Sequence, residues 1–136
     1  AARQNFLDIL PLTGLFLFDI KLLSAELHRK YTGVDNGVIL NNLDALYRAG
    51  AKILLRCPII PGINDTEEHI RAVAELAEKY PAIQGVQIMP YHDMGAGKWK
   101  ELGYSYTLQH LKTMEETEKR SILQRFQQAG CLNAML

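Results

Sequence analysis

The chain has 136 residues, 48% of them hydrophobic and 22% charged, which suits one domain with a real core. Lys and Arg number 15 against 15 Asp and Glu, so the formal charge is zero, and this excludes the strongly basic surface that nucleic acid or an anionic membrane selects. No apolar run approaches the roughly 20 residues of a membrane-spanning helix, and the two cysteines, Cys57 and Cys131, stand far apart; the expectation is a cytoplasmic protein without disulfides.

Arg3 to Leu10 reads as the last turns of a helix, with Phe6, Leu7 and Leu10 at helical spacing and Pro11 ending it. A chain that opens inside a helix, with neither an initiating Met nor a signal peptide, is expected to be a fragment. The organising stretch follows: LFLFDIK, Leu15 to Lys21. Its large apolar residues predict a strand buried on both faces, as in a parallel sheet covered by helices. Asp19 and Lys21 close that strand. Residues two apart point to one side, so the pair can offer an anion and a cation to one zwitterionic ligand, or can be a solvated strand end.

Ser24 caps a short helix to about Tyr31, and Gly33 breaks it. Asn36 opens a second helix with an apolar stripe of Ile39, Leu40, Leu43, Leu46 and Tyr47, stopped by Gly50. The next predicted strand is Ala51 to Ile60, again too apolar for a strand with one wet face, with Pro58 and Pro61 near its end. Asp65 or Thr66 caps the following helix, Glu68 stands in capping-box position to Asp65, and Pro81 ends the helix. A third strand, Gly85 to Tyr91, delivers His92 and Asp93. A long loop with Gly95, Gly97 and Gly103 around Lys98 and Trp99 follows. Thr113 with Glu116 then forms a second capping-box pattern before a helix carrying Ile122, Leu123 and Phe126, and Cys131 to Leu136 either adds a short strand or stays loose.

Three consecutive strand-helix units give an α/β fold with a parallel sheet. Three such units cannot close a barrel, so the expectation is a small open sheet or a single truncated domain, residues 1–136, of a larger barrel. Asp19 and Lys21, Arg56, and His92 each fall at or near the carboxyl end of an otherwise apolar strand. A shared ligand site explains that placement; buried ion pairs and capping partners are the alternatives.

LFDIK, HRKYTGVDN (His28 to Asn36), RCPIIPGIND (Arg56 to Asp65), QIMPYHDMG (Gln87 to Gly95) and KWKELGYSY resemble, in order, the carboxyl-terminal half of a radical S-adenosylmethionine enzyme. The family is the glycyl-radical-enzyme activating enzymes, the group that includes pyruvate formate-lyase activase. The resemblance implies part of a (β/α)6 partial barrel. It also implies S-adenosylmethionine and a 4Fe-4S cluster as cofactors of the parent enzyme, and a glycyl radical enzyme and an electron donor as its partners. By resemblance, Asp19 and Lys21 meet the cofactor's methionine portion, Arg56 lies near the cofactor and the incoming glycine loop, and His92 approaches the nucleoside.

The chain departs from that family in two respects: the glycine-rich strand that in the family holds the cofactor's amino group is missing, and so is the cluster motif. The CxxxCxxC motif that holds the cluster is absent, and Cys57 and Cys131 have the wrong number and spacing. The fragment alone is therefore expected to hold no metal and to be inactive, with no catalytic residue of its own. His28, His69 and His110 are expected on helices in surface or capping roles, and Trp99 and Tyr104 either meet a partner or pack beneath their loop. Two other readings stand beside this one: a non-catalytic α/β protein-binding module, and an aldolase-type barrel fragment with Lys21 as amine nucleophile. Truncation would also leave a bare strand edge at Leu15, through which the fragment would self-associate.

Overall fold

The computed structural model describes residues 3–93 and 110–136; the glycine-containing loop with Lys98, Trp99 and Tyr104 lies outside the described residues. Helix α1 (Arg3–Ile9) runs into a 3-10 turn, Leu10–Leu12, that takes up Pro11 at its start. Then come β1 (Phe16–Asp19), α2 (Ala25–Thr32), α3 (Gly37–Arg48), β2 (Ile53–Ile59), α4 (Glu67–Lys79), β3 (Gly85–Pro90), α5 (Glu116–Gln128) and β4 (Ala134–Met135). All pairings are parallel, in the order β1-β2-β3-β4. The expected α/β architecture is present, and the last residues do add a short strand.

One sheet face makes the core. Ile53, Leu55, Cys57 and Ile59 alternate into it from β2 with no exposure, joined by Phe16 and Phe18 from β1 and by Val86 and Ile88 from β3. Against them pack Leu43 and Leu46 of α3, Ile70 and Val73 of α4, and Ile122 and Phe126 of α5. Burying each such side chain contributes about 1.5–3 kcal/mol. The Phe6 ring of α1 closes the β1 side, 6.5 Å from the rings of both Phe16 and Phe18.

The opposite face corrects the expectation of strands buried on both sides. Leu17 is 56% exposed, Asp19 is exposed, and Leu54, Arg56, Gln87 and Met89 are only half-buried. The apolar run in LFLF is real, but among the described residues the helices pack on one side of it only. Its second apolar set therefore lines an open sheet face, and β1 is a bare edge.

Several caps differ from their sequence assignments. Of the two caps the sequence offers for α4, Thr66 is the one used, accepting from His69 N; the Asp65–Glu68 capping box does not form, because Asp65 Oδ1 accepts from Gly62 N and fixes the Pro61-Gly62 turn. The capping box of α5 is Glu115 with Glu118. Thr113 is drawn away to Asp93, donating to its carboxylate at 2.6 Å and accepting from its N–H at 3.1 Å. Asn36 precedes α3 without a side-chain cap bond: its Nδ2 donates back to Leu22 O and Leu23 O, and Asp35 Oδ1 accepts from Gly37 N at the helix start. Arg125 ties α5 to the start of α4, donating to Glu67 Oε1 and Asp65 O, each at 2.7 Å.

Gly85 sits where β4 approaches β3 most closely. A Cβ there would lie 2.7 Å from Met135 Cε and 2.9 Å from the Asn133 carbonyl oxygen. The methionine can swing aside, but the carbonyl is backbone and accepts from Val86 N. Gly85→Ala is expected to destabilise the fold by about 1–3 kcal/mol in urea unfolding; an unchanged midpoint would contradict the close approach.

Candidate functional site

The parallel register brings the polar residues of different strands into one row. Asp19 of β1 pairs with Arg56 of β2, and Arg56 pairs with Gln87 of β3. All three side chains stand on the open sheet face; Asp19 closes β1, but Arg56 is the middle residue of β2 and Gln87 lies in the first half of β3, so Arg56 is not at the carboxyl end expected for it. Arg56 Nη1 lies 3.7 Å from Asp19 Oδ1, and its Nε donates to the Met89 thioether at 3.1 Å. The guanidinium thus lies across the sheet between β1 and β3, its charge only partly matched.

Lys21 follows two residues after Asp19 and is exposed. It lines a groove of about 1000 Å³ that runs over Pro58, Ile60 and Pro61 to Tyr31 and Thr32 of α2. The groove takes in neither Asp19 nor Arg56, because the sheet face beside it is open. His92 is exposed two residues beyond β3. The structure therefore joins Asp19 to Arg56, sets Lys21 two residues past the end of β1, and leaves His92 exposed two residues past the end of β3.

Two buried asparagines, absent from the candidate residues above, hold this end of the sheet. Asn64, 3% exposed, donates through Nδ2 to Lys21 O at 2.9 Å and Pro58 O at 2.7 Å, and its Oδ1 accepts from Ile60 N at 2.7 Å. Asn36, 5% exposed, donates to Leu22 O at 3.1 Å and Leu23 O at 2.7 Å. Their signal in the sequence was Pro58: a proline in a central strand cannot donate a rung, so another donor is needed there.

Two of the three histidines depart from a surface role, while His110 is exposed. His28 is buried, and its Nδ1 donates to Val34 O at 2.7 Å, locking the turn after α2. His69 is buried on α4, burial pushes its imidazole below the ordinary range, and its Nε2 has no hydrogen-bond partner among the described residues. His110 lies in a turn rather than on a helix. The thiols are unsuited to holding a cluster. Burial first, then the neighbouring Cys131 and Asp19, push the Cys57 thiol up to about 12, and burial raises Cys131 as well. Both thiols are free, and among the described residues no group of three or more His, Cys, Asp or Glu is placed to hold a metal ion.

The Asp19–Arg56 pair is a loose contact between a side chain 44% exposed and one 29% exposed. Such pairs contribute about 0–1 kcal/mol. Asp19→Asn and Arg56→Gln are each expected to shift the unfolding free energy by less than about 1 kcal/mol; a loss well above that in denaturant titration would make the pair part of the scaffold.

No family model matches the chain. Among curated proteins it is 32% identical to a trans-4-hydroxy-L-proline dehydratase activating enzyme of Clostridioides difficile, over 100% of this chain and 45% of the relative. It is 37% identical to a choline trimethylamine-lyase activating enzyme of Oleidesulfovibrio alaskensis, over 80% of this chain and 36% of that protein. It is 30% identical to a pyruvate formate-lyase-activating enzyme of Clostridium pasteurianum, over 90% and 51%. A crystal structure of a domain of pyruvate-formate lyase-activating enzyme from Bacteroides vulgatus superposes with a TM-score of 0.75, covering 99% of this chain and 74% of that one. At 23% identity that likeness bears on the fold alone. The chain spans about half or less of the length of these curated relatives, and it belongs to the glycyl-radical-enzyme activating enzymes of the radical S-adenosylmethionine group.

Proposed function

We propose that this chain is the carboxyl-terminal half of a cytoplasmic activating enzyme that generates a glycyl radical on a partner enzyme, drawing on an electron donor. The observation that carries the reading is the row on the open sheet face, Asp19 against Arg56 at 3.7 Å with Lys21 two residues on. A carboxylate paired with a guanidinium, and an ammonium two residues further along the same chain segment, suit the zwitterionic end of S-adenosylmethionine. The Lys21 ammonium meets the cofactor's carboxylate, and the Asp19 carboxylate meets its ammonium. Arg56, held between Asp19 and Met89, faces the polar groups of the incoming glycine segment, and His92 at the rim donates to or stacks on the nucleoside.

When bound, the cofactor supplies the capacity to remove a hydrogen atom. The chain's own residues bind and orient it. Its buried, high-pKa thiols do not suit the iron-sulfur cluster, so the cluster belongs to another segment of the enzyme and this chain alone is inactive.

In the intact activating enzyme, Lys21→Met is expected to raise the dissociation constant for S-adenosylmethionine about tenfold, the loss of one charge-assisted hydrogen bond, with the cluster spectrum unchanged. Calorimetry giving wild-type affinity would overturn the site. The isolated chain is further expected to self-associate through the bare β1 edge, where Leu15 is 44% and Leu17 56% exposed. Sedimentation that shows a monomer at every concentration would contradict this.

A further inference from the structure

The ladder between β1 and β2 ends early. Its last rung is Ile20 N donating to Arg56 O at 2.8 Å. Even-numbered residues of β2 turn toward β1, so the next donor would be residue 58, which is proline and has no N–H. Lys21 would leave the sheet with nothing to fix its backbone. The missing N–H would have served Ile20 O; the Asn64 amide ties the two segments one residue further on, from the turn after β2, reaching Lys21 O and Pro58 O together while its oxygen accepts from Ile60 N. Asn36 secures the next two carbonyls, Leu22 O and Leu23 O. Three successive carbonyls at the exit of β1 are thus held by buried side-chain amides.

A lysine carries its charge on a long flexible stem, so the entropy lost on engaging a ligand depends on how firmly its root is held. We infer that Asn64 is a positioning residue: it fixes Lys21 at the carboxyl end of β1 so that the ammonium meets the carboxylate of S-adenosylmethionine. This rests on the proposed role of Lys21 and adds a residue that touches no ligand group itself. Asn64 acts through the Lys21 carbonyl, across 43 positions of sequence, and couples the Pro61-Gly62 turn to the binding row.

Asn64→Asp isolates the effect. The carboxylate keeps the acceptor for Ile60 N–H and the side-chain size, but removes both donors. Thr66→Ala serves as the stability control, since it removes the cap of α4, a bond to His69 N, and leaves the Asn64 and Asn36 bonds at the β1 exit in place. S-adenosylmethionine binding is measured by calorimetry on the intact, cluster-reconstituted enzyme, beside melting temperature. Asn64→Asp is expected to raise the dissociation constant about five- to tenfold, the loss of a hydrogen bond's worth of ordering, while Thr66→Ala lowers the melting temperature and leaves affinity within about twofold. Asn64→Ala gives the same comparison should the added charge prevent folding. If Asn64 variants lose only melting temperature while Lys21→Met still weakens binding, the positioning role is overturned and the site stands. If Lys21→Met itself binds normally, the site falls and the positioning role with it.

Discussion

Parallel pairing of Asp19 with Arg56, and of Arg56 with Gln87, is the constraint on which the site depends. A shift of one residue would send these side chains to the opposite sheet face, among Phe18, Leu55 and Ile88, where a guanidinium could not be solvated. The core thus enforces the polar row. Every apolar residue that β2 turns toward the helices fixes which residues it turns away. The row exists because Ile53, Leu55, Cys57 and Ile59 occupy the other face completely.

That arrangement divides the labour between the two faces. Helices α3, α4 and α5 bury one of them and supply the stability. The other carries Leu17, Leu54 and Met89 beside the charged row, and it remains open in this chain. At 3.7 Å and partly exposed, the Asp19–Arg56 pair adds little to stability, so the scaffold does not depend on it. Rigidity at the strand ends comes from neutral amides, Asn64 and Asn36, which satisfy carbonyls at no cost in buried charge.

Much of the fold was legible because its signals are local. Ser24, Gly33 and Gly50 act as their residue types predict, and the stripe through Leu43 and Leu46 faces the core. The two-sided burial of LFLF was misread for a physical reason: an apolar run records what a strand can bury, whereas burial depends on what else is present to cover it. The capping boxes at Asp65 and Thr113 and the cap at Asn36 do not form because several oxygen-bearing side chains compete for few backbone donors, as where Asp35 takes Gly37 N. Pairings distant in sequence settled the outcome, as with Thr113 and Asp93. For the same reason Asn64 escaped notice as a site element, since its partners Lys21 and Pro58 adjoin it only after β1 and β2 pair. Of the four candidate residues, Asp19 and Arg56 are in contact, Lys21 lines the adjoining groove two residues past β1, and His92 is exposed two residues past β3.

The central claim is that the carboxyl ends of β1 and β2 form one wall of a pocket for the zwitterionic end of S-adenosylmethionine. A crystal structure of the intact activating enzyme with that molecule bound tests it most directly. The account predicts the methionyl carboxylate within hydrogen-bonding distance of Lys21 Nζ, with Asp19 and Arg56 facing the same ligand and Asn64 still bonded to the Lys21 carbonyl. A methionyl group seated on other strands, with Lys21 turned to solvent, would contradict it.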